Sequence, residues 1–123
     1  MPQLIDRTGQ LIAVENNLSA QQLATLLPGD DPYVLRDQLG NFVRIDVEFA
    51  HFTDGRGYSS AIVVRDQLHW DGELRAVGDI QVDQLAFLVR CGFNSFALRD
   101  DQSLDQARIS LNAFSVAYQA SHP

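Results

Sequence analysis

Three short apolar runs, FVRIDVEF at 42–49, ELRAV at 73–77 and the run at 93–98, alternate with two longer stretches of helical period. In the first, Val43, Ile45, Val47 and Phe49 fall on one side of an extended chain and Arg44, Asp46 and Glu48 on the other, the period of two that a strand requires. Residues 55–68 place Ala61, Ile62, Val64 and Leu68 on a helical stripe. Residues 81–91 do the same with Val82, Leu85, Ala86 and Val89, and Gly92 follows as a stop. Strands that alternate with helices at this spacing imply βαβ units, a mainly parallel sheet and right-handed crossovers. The expected class is therefore α/β. A small three-layer sandwich and part of a β/α barrel are both compatible with it.

The flanks are read from turn and capping chemistry. Leu4 and Ile5, then Asp6-Arg7-Thr8-Gly9, then Leu11, Ile12 and Val14 predict an N-terminal hairpin. Ser19-Ala-Gln-Gln22 matches a capping box and predicts a short helix that turns Leu23, Leu26 and Leu27 inward. Asp31-Pro32 predicts another short helix that ends at Gly40. Ser103-Leu-Asp-Gln106 opens a last helix through Ile109, Leu111 and Phe114. Phe114, Val116 and Tyr118 alternate, so a terminal strand at 114–118 is the competing reading.

With 123 residues and 46% hydrophobic content, the chain suits one domain over 1–123 with a modest core. No apolar run reaches the roughly 18 residues that a membrane span needs. The first residues, MPQLIDRTGQ, lack the basic and apolar regions of a secretory signal. A single cysteine, Cys91, excludes an internal disulfide and suits a reducing cytoplasm. The formal charge of −7 repels phosphate backbones, which argues against nucleic acid, and suits a basic protein partner.

In parallel α/β sheets, ligands bind beyond the carboxyl ends of the strands. Three loops occupy that position. They are Asp54-Gly55-Arg56-Gly57-Tyr58-Ser59 after the first strand of the core, Gly78-Asp79 after the second, and Arg99-Asp100 after the third. A helix start with free N–H groups, a fixed cation at Arg56 and a hydroxyl at Tyr58 or Ser59 would suit a carboxylate, phosphate, sulfate or sulfite oxyanion. The spacing matches neither a P-loop nor a dinucleotide fingerprint. The competing structural account has Asp54 capping the helix, the glycines making the turn, and Arg56 paired with a neighbouring acid such as Asp79.

The remaining candidates are weaker. Asp46, Glu48, His51 and Asp54 fall close together in sequence, but no second histidine has metal spacing, so no metal is expected. Cys91 sits at a helix C-terminus, where the dipole disfavours a thiolate. No cofactor fingerprint is present, and none is expected. Trp70 reads first as cover for a helix end, with an exposed contact residue as the competing reading, in which it and the FSVAYQ tail supply a homodimer contact.

The stretches FTDGRGYS at 52–59, GELRAVGD at 72–79, RCGF at 90–93 and FSVAYQ at 114–119, in this order, resemble the bacterial family of unknown function numbered 934. The resemblance covers about 42–119, with residues 1–41 outside it. Ala50, His51 and Asn94 depart from the family pattern, while both glycine–aspartate signatures are intact. Members are encoded beside the assimilatory sulfite reductase and labelled as oxidoreductases of sulfite reduction. The resemblance thus implies a cytoplasmic role in sulfur assimilation. Two readings follow. One is an accessory protein that contacts the sulfite reductase hemoprotein or its electron donor. The other is a small enzyme that clamps an oxyanion with Arg56 and Arg75, with Asp54 or Asp79 as acid or base.

Overall fold

A computed structural model describes residues 2–14 and 17–118. It contains a five-stranded sheet of strands β1 (Gln3–Asp6), β2 (Leu23–Leu26), β3 (Arg44–Phe49), β4 (Glu73–Gly78) and β5 (Ser95–Leu98) in the spatial order β1-β5-β4-β3-β2. Strands β2 to β5 run parallel, and β1 pairs antiparallel with β5. The α/β class with a mainly parallel sheet holds, with the N-terminal strand closing one edge.

Each consecutive parallel strand lies beside its predecessor. Right-handed crossovers that always advance in one direction put every connecting helix on the same face. The helices confirm this. Helix α1 (Arg56–Ile62) touches α2 (Leu85–Cys91), which touches α3 (Leu104–Tyr118). Beneath them lies the apolar face of the sheet, with Ile5, Ala24, Ile45, Val47, Leu74, Ala76 and Phe96 buried. The arrangement is that of a β/α-barrel segment, open at both edges, rather than a sheet sandwiched between helices.

The second face is polar. Register aligns Thr25, Asp46, Arg75, Ser95 and Asp6 in one row across all five strands. Because β1 and β2 occupy opposite edges, the chain between them must cross the sheet. Ile12 and Ala13 share a cavity with Glu73, Arg75 and Ser95, which places these two residues over the polar face.

Several sequence expectations hold locally. Asp31 accepts from the Tyr33 amide at 3.0 Å and starts a 3-10 helix, Pro32–Asn41. Gly92 ends α2 in the left-handed region, with φ 115°. Ser103 Oγ accepts from the Gln106 amide at 3.2 Å at the start of α3. The backbone is helical through Tyr118, so 114–118 is helix and not strand. The helix expected over 55–68 forms, but α1 passes into a π-helical turn, Val63–Gln67. The predicted hairpin is reduced to β1, its turn and a single bridge between Ile5 and Leu11.

Two expectations fail. Ser19–Gln22 forms a turn, with the Ser19 amide donating to Gln22 Oε1 at 3.0 Å, and the predicted helix at Leu23 is strand β2. A capping signal with Pro28 close behind leaves room for barely one turn of helix. The open edge of β3 offers that same segment a full parallel ladder. Trp70, offered above as a dimer contact, is buried in the core with the Arg65 guanidinium over its ring.

Candidate functional site

The loops beyond the carboxyl ends of β3, β4 and β5 do converge, and Asp79 ties them together. Its Oδ2 accepts from the Phe52 amide, in the loop after β3, at 3.0 Å. Its Oδ1 accepts from Arg99, after β5. Arg99 is shared with Asp101 through Nε at 3.0 Å and through Nη2. Both carboxylates raise the Arg99 pKa, Asp101 contributing most, and the guanidinium holds Asp101 below its ordinary value. Gly78 makes this loop possible. Its φ is +92°, and a Cβ there would meet the Phe49 carbonyl oxygen at 2.4 Å.

The start of α1 is closed by its own sequence. Asp54 Oδ1 accepts from the Arg56 amide at 3.0 Å, and the same carboxylate holds the Arg56 side chain through Nε at 3.0 Å and Nη2 at 2.7 Å. Arg56 holds the Asp54 pKa down to about 2. Arg56 therefore pairs with Asp54 and not with Asp79. Of the capping account, Asp54 does bind the Arg56 amide, but the N-cap residue is Gly55 and the acid on Arg56 is Asp54 rather than Asp79; an anion at this helix start would have to compete with the Asp54 carboxylate.

The two glycines that bracket Arg56 have different uses. Gly57 is buried, and a Cβ on it would meet the Phe49 ring at 2.5 Å, so it lets α1 approach β3. Gly55 has φ −78° and nothing within 4 Å of where a Cβ would stand. Tyr58 packs edge-on against Phe49 and Phe87 and accepts at its hydroxyl from Gln84 Nε2 at 2.7 Å. Burial pushes its hydroxyl pKa up. Ser59 and Arg56 line a shallow concavity of about 220 Å³ with Gly29 and Pro32.

Arg75 is not part of this edge. It lies mid-strand on the polar face, with Nε donating to Ser95 Oγ at 3.1 Å and Nη2 to Glu73 at 2.7 Å. The proposed clamp of Arg56 with Arg75 therefore has no common cleft. Cys91 is buried, and burial raises its thiol pKa. Among the described residues, no group of three or more His, Cys, Asp or Glu side chains is placed to hold a metal ion, and no helix is long and apolar enough to cross a membrane.

Sequence reading missed three contributors at this edge. Gln84 joins the loop after β3 to α2 by donating to the Phe52 carbonyl oxygen at 2.7 Å. Its signal was the Gln81/Gln84 capping box, easily overlooked because glutamine is an unusual N-cap. Phe52 and Phe87 are exposed, and Phe87 lies edge-on against Tyr58. The loop after β2 also reaches this edge, with Gly29 close to Arg56 Nη1, and it was hidden by the helical reading of Leu23–Leu26.

The edge is markedly acidic. Asp30 and Asp31 follow β2, Asp54 follows β3, Asp79 and Asp83 follow β4, and Asp100 and Asp101 follow β5. Arg56 and Arg99 are the cations in these loops, and both are held by carboxylates.

No curated protein and no solved structure gives a significant match to the chain. A family model matches residues 24–123, so the similarity begins at β2 rather than at residue 42. The match spans the parallel sheet, the acidic edge and all three α-helices, and on it the chain belongs to the family described as bacterial protein of unknown function, DUF934.

Proposed function

We propose that this protein is a non-catalytic docking partner, and that its acidic loop edge, with Phe52 and Phe87 exposed on it, engages a basic protein surface. The observation that carries the reading is the charge of that edge. Every loop beyond the parallel strands brings at least one aspartate, and both arginines are already occupied. An incoming oxyanion would meet net negative charge and two guanidinium groups with carboxylates on them. A basic surface would meet the complementary field, with exposed Phe52 and Phe87 as apolar contacts of the kind interfaces favour.

The resemblance of the D-G-R-G and G-E-L-R-A-V-G-D stretches gives the proposal its setting, which is assimilatory sulfite reduction in the cytoplasm. The partner is then the sulfite-reducing hemoprotein or its electron donor. The test is co-elution of the tagged protein with that hemoprotein from the same organism, with sulfite turnover assayed with and without it. Complex formation that weakens as salt rises and is lost in Asp83→Lys/Asp101→Lys supports the proposal. Separate elution at low salt, with turnover unchanged, overturns it.

A further inference from the structure

The polar face of the sheet carries a cavity where Ile12 and Ala13, in the chain that follows β1, lie over it. This cavity of about 390 Å³ is lined by Asp6, Arg7, Ile12, Glu73, Arg75 and Ser95, together with Thr8, Ala13 and Asn94. The volume is in the range of small-molecule pockets. The acidic edge plays no part in it.

The chemistry centres on Arg75, whose side chain is 6% exposed. Two of its three guanidinium nitrogens are occupied, Nε by Ser95 and Nη2 by Glu73. Nη1 has no hydrogen-bond partner among the described residues. Among those residues, no fully buried side-chain nitrogen or oxygen lacks a partner. Nη1 is thus the nitrogen of this guanidinium left without a described partner, and Arg75 is one of the residues that line the cavity. Burying a guanidinium with one donor edge unmet is costly unless something completes it. Ser95 adds to the donor set. Its oxygen accepts from Arg75 Nε, which leaves the hydroxyl proton free to donate.

The lining is electrically balanced, with Arg7 and Arg75 set against Asp6 and Glu73. Asp6 spends Oδ1 on Thr8 and Gln10, which fixes the turn beneath the cavity. Its Oδ2 has no partner among the described residues, and Glu73 meets Arg75 through Oε2 alone. A simple anion would satisfy Nη1 but would face two carboxylates. A molecule that carries both charges can meet Arg75 with its anionic end and the two carboxylates with its cationic end.

We infer that the cavity beneath the N-terminal crossing is a binding site for a small zwitterion of the α-amino acid class, with its carboxylate on Arg75 Nη1 and Ser95 Oγ and its ammonium group between Glu73 and Asp6. The ¹⁵N-labelled full chain is titrated with each of the twenty standard amino acids, up to about 20 mM at constant ionic strength. Backbone amide shifts are followed at Thr8, Glu73, Asn94 and Ser95. The expected result is saturable movement of these amides with one amino acid or a few related ones. Binding should be weaker by about tenfold or more in Arg75→Gln, since a hydrogen bond to a charged group is lost. Because Arg75 is buried, Ala13→Trp serves as a second variant that fills the cavity from the exposed crossing; it should abolish the shifts while the thermal transition stays cooperative. Arg56→Ala, on the opposite edge, should leave binding unchanged. No saturable shift with any amino acid overturns the assignment. So does equal binding of the matching 2-hydroxy acid or of sulfate, because a plain anion would then suffice. Persistence of binding in Ala13→Trp would place the ligand elsewhere and overturn it too.

Discussion

Gly55 and Gly57 look alike in sequence, and the structure gives them opposite tolerances. A Cβ at Gly57 meets the Phe49 ring at 2.5 Å, so Gly57→Ala is expected to destabilise the fold by about 1–3 kcal/mol in urea denaturation, as overpacking does. At Gly55 the backbone is ordinary and the space empty. Gly55→Ala is expected to be neutral or to stabilise by about 0.4–1 kcal/mol by restricting the unfolded chain. Asp54 makes a prediction in pH. Its folded pKa, about 2, lies below the ordinary 3.8 because Arg56 holds the charged form. Its contribution to stability is thus fully present above about pH 4 and is lost as pH falls towards 2. Replacing it with asparagine should flatten stability over that window in acid titrations followed by circular dichroism. A carboxyl pKa near 4 in an NMR titration of Asp54 would contradict the pairing.

The entry of β4 is held by one side chain from outside the strand. Asn94 Oδ1 accepts from the Leu74 amide at 2.8 Å, and its Nδ2 donates to the Gly72 carbonyl oxygen at 3.3 Å. These bonds hold the entry of β4 against the loop before β5. Asn94→Ala removes both and should cost about 1–3 kcal/mol in the unfolding midpoint analysis, since a buried amide loses its acceptor. β1 is held differently. It is an edge strand whose Ile5 is fully buried opposite Phe96. Ile5→Ala is expected to cost about 2–5 kcal/mol. Hydrogen exchange in that variant should quicken first at β1 and the edge of β5, leaving β3 and β4 slow, because the centre of the sheet keeps its ladders. β2, at the other edge, shows how an element is chosen by its neighbour. Its four residues carry a helical signal, but the exposed ladder of β3 takes them as a strand.

Over the whole molecule, the acidic edge and the polar sheet face divide the surface into two chemistries. The edge is open and its field is long-ranged, so association there should slow as salt rises above about 0.1 M, where the Debye length is near 10 Å. Stopped-flow association rates at several salt concentrations measure this, and a flat profile would argue for an apolar contact through Phe52 and Phe87 alone. The local content of the fold was legible in advance. FVRIDVEF announced β3 through strict alternation, Asp31 and Ser103 announced helix starts, and Gly92 announced a stop, because each depends on groups only a few residues apart. The convergence of the three loops was legible too, since parallel strands with helical returns put them on one edge. The partner of Arg56 was not legible from spacing. Asp79 was the acid expected there, and only the packing of loops decided that Asp79 serves Phe52 and Arg99 while Arg56 turns to Asp54. Arg75 was legible as a strand residue and was expected to join Arg56 in a clamp, but its actual surroundings were not legible. Its place in a polar row, beneath a crossing chain, depends on β1 and β2 occupying opposite edges. Sequence thus determined which segments could be strand or helix, because periodicity and capping are local. Tertiary structure alone decided which face was left polar, what crosses it and which charges meet, because those depend on strand order, and strand order is fixed by contacts between residues far apart in the chain.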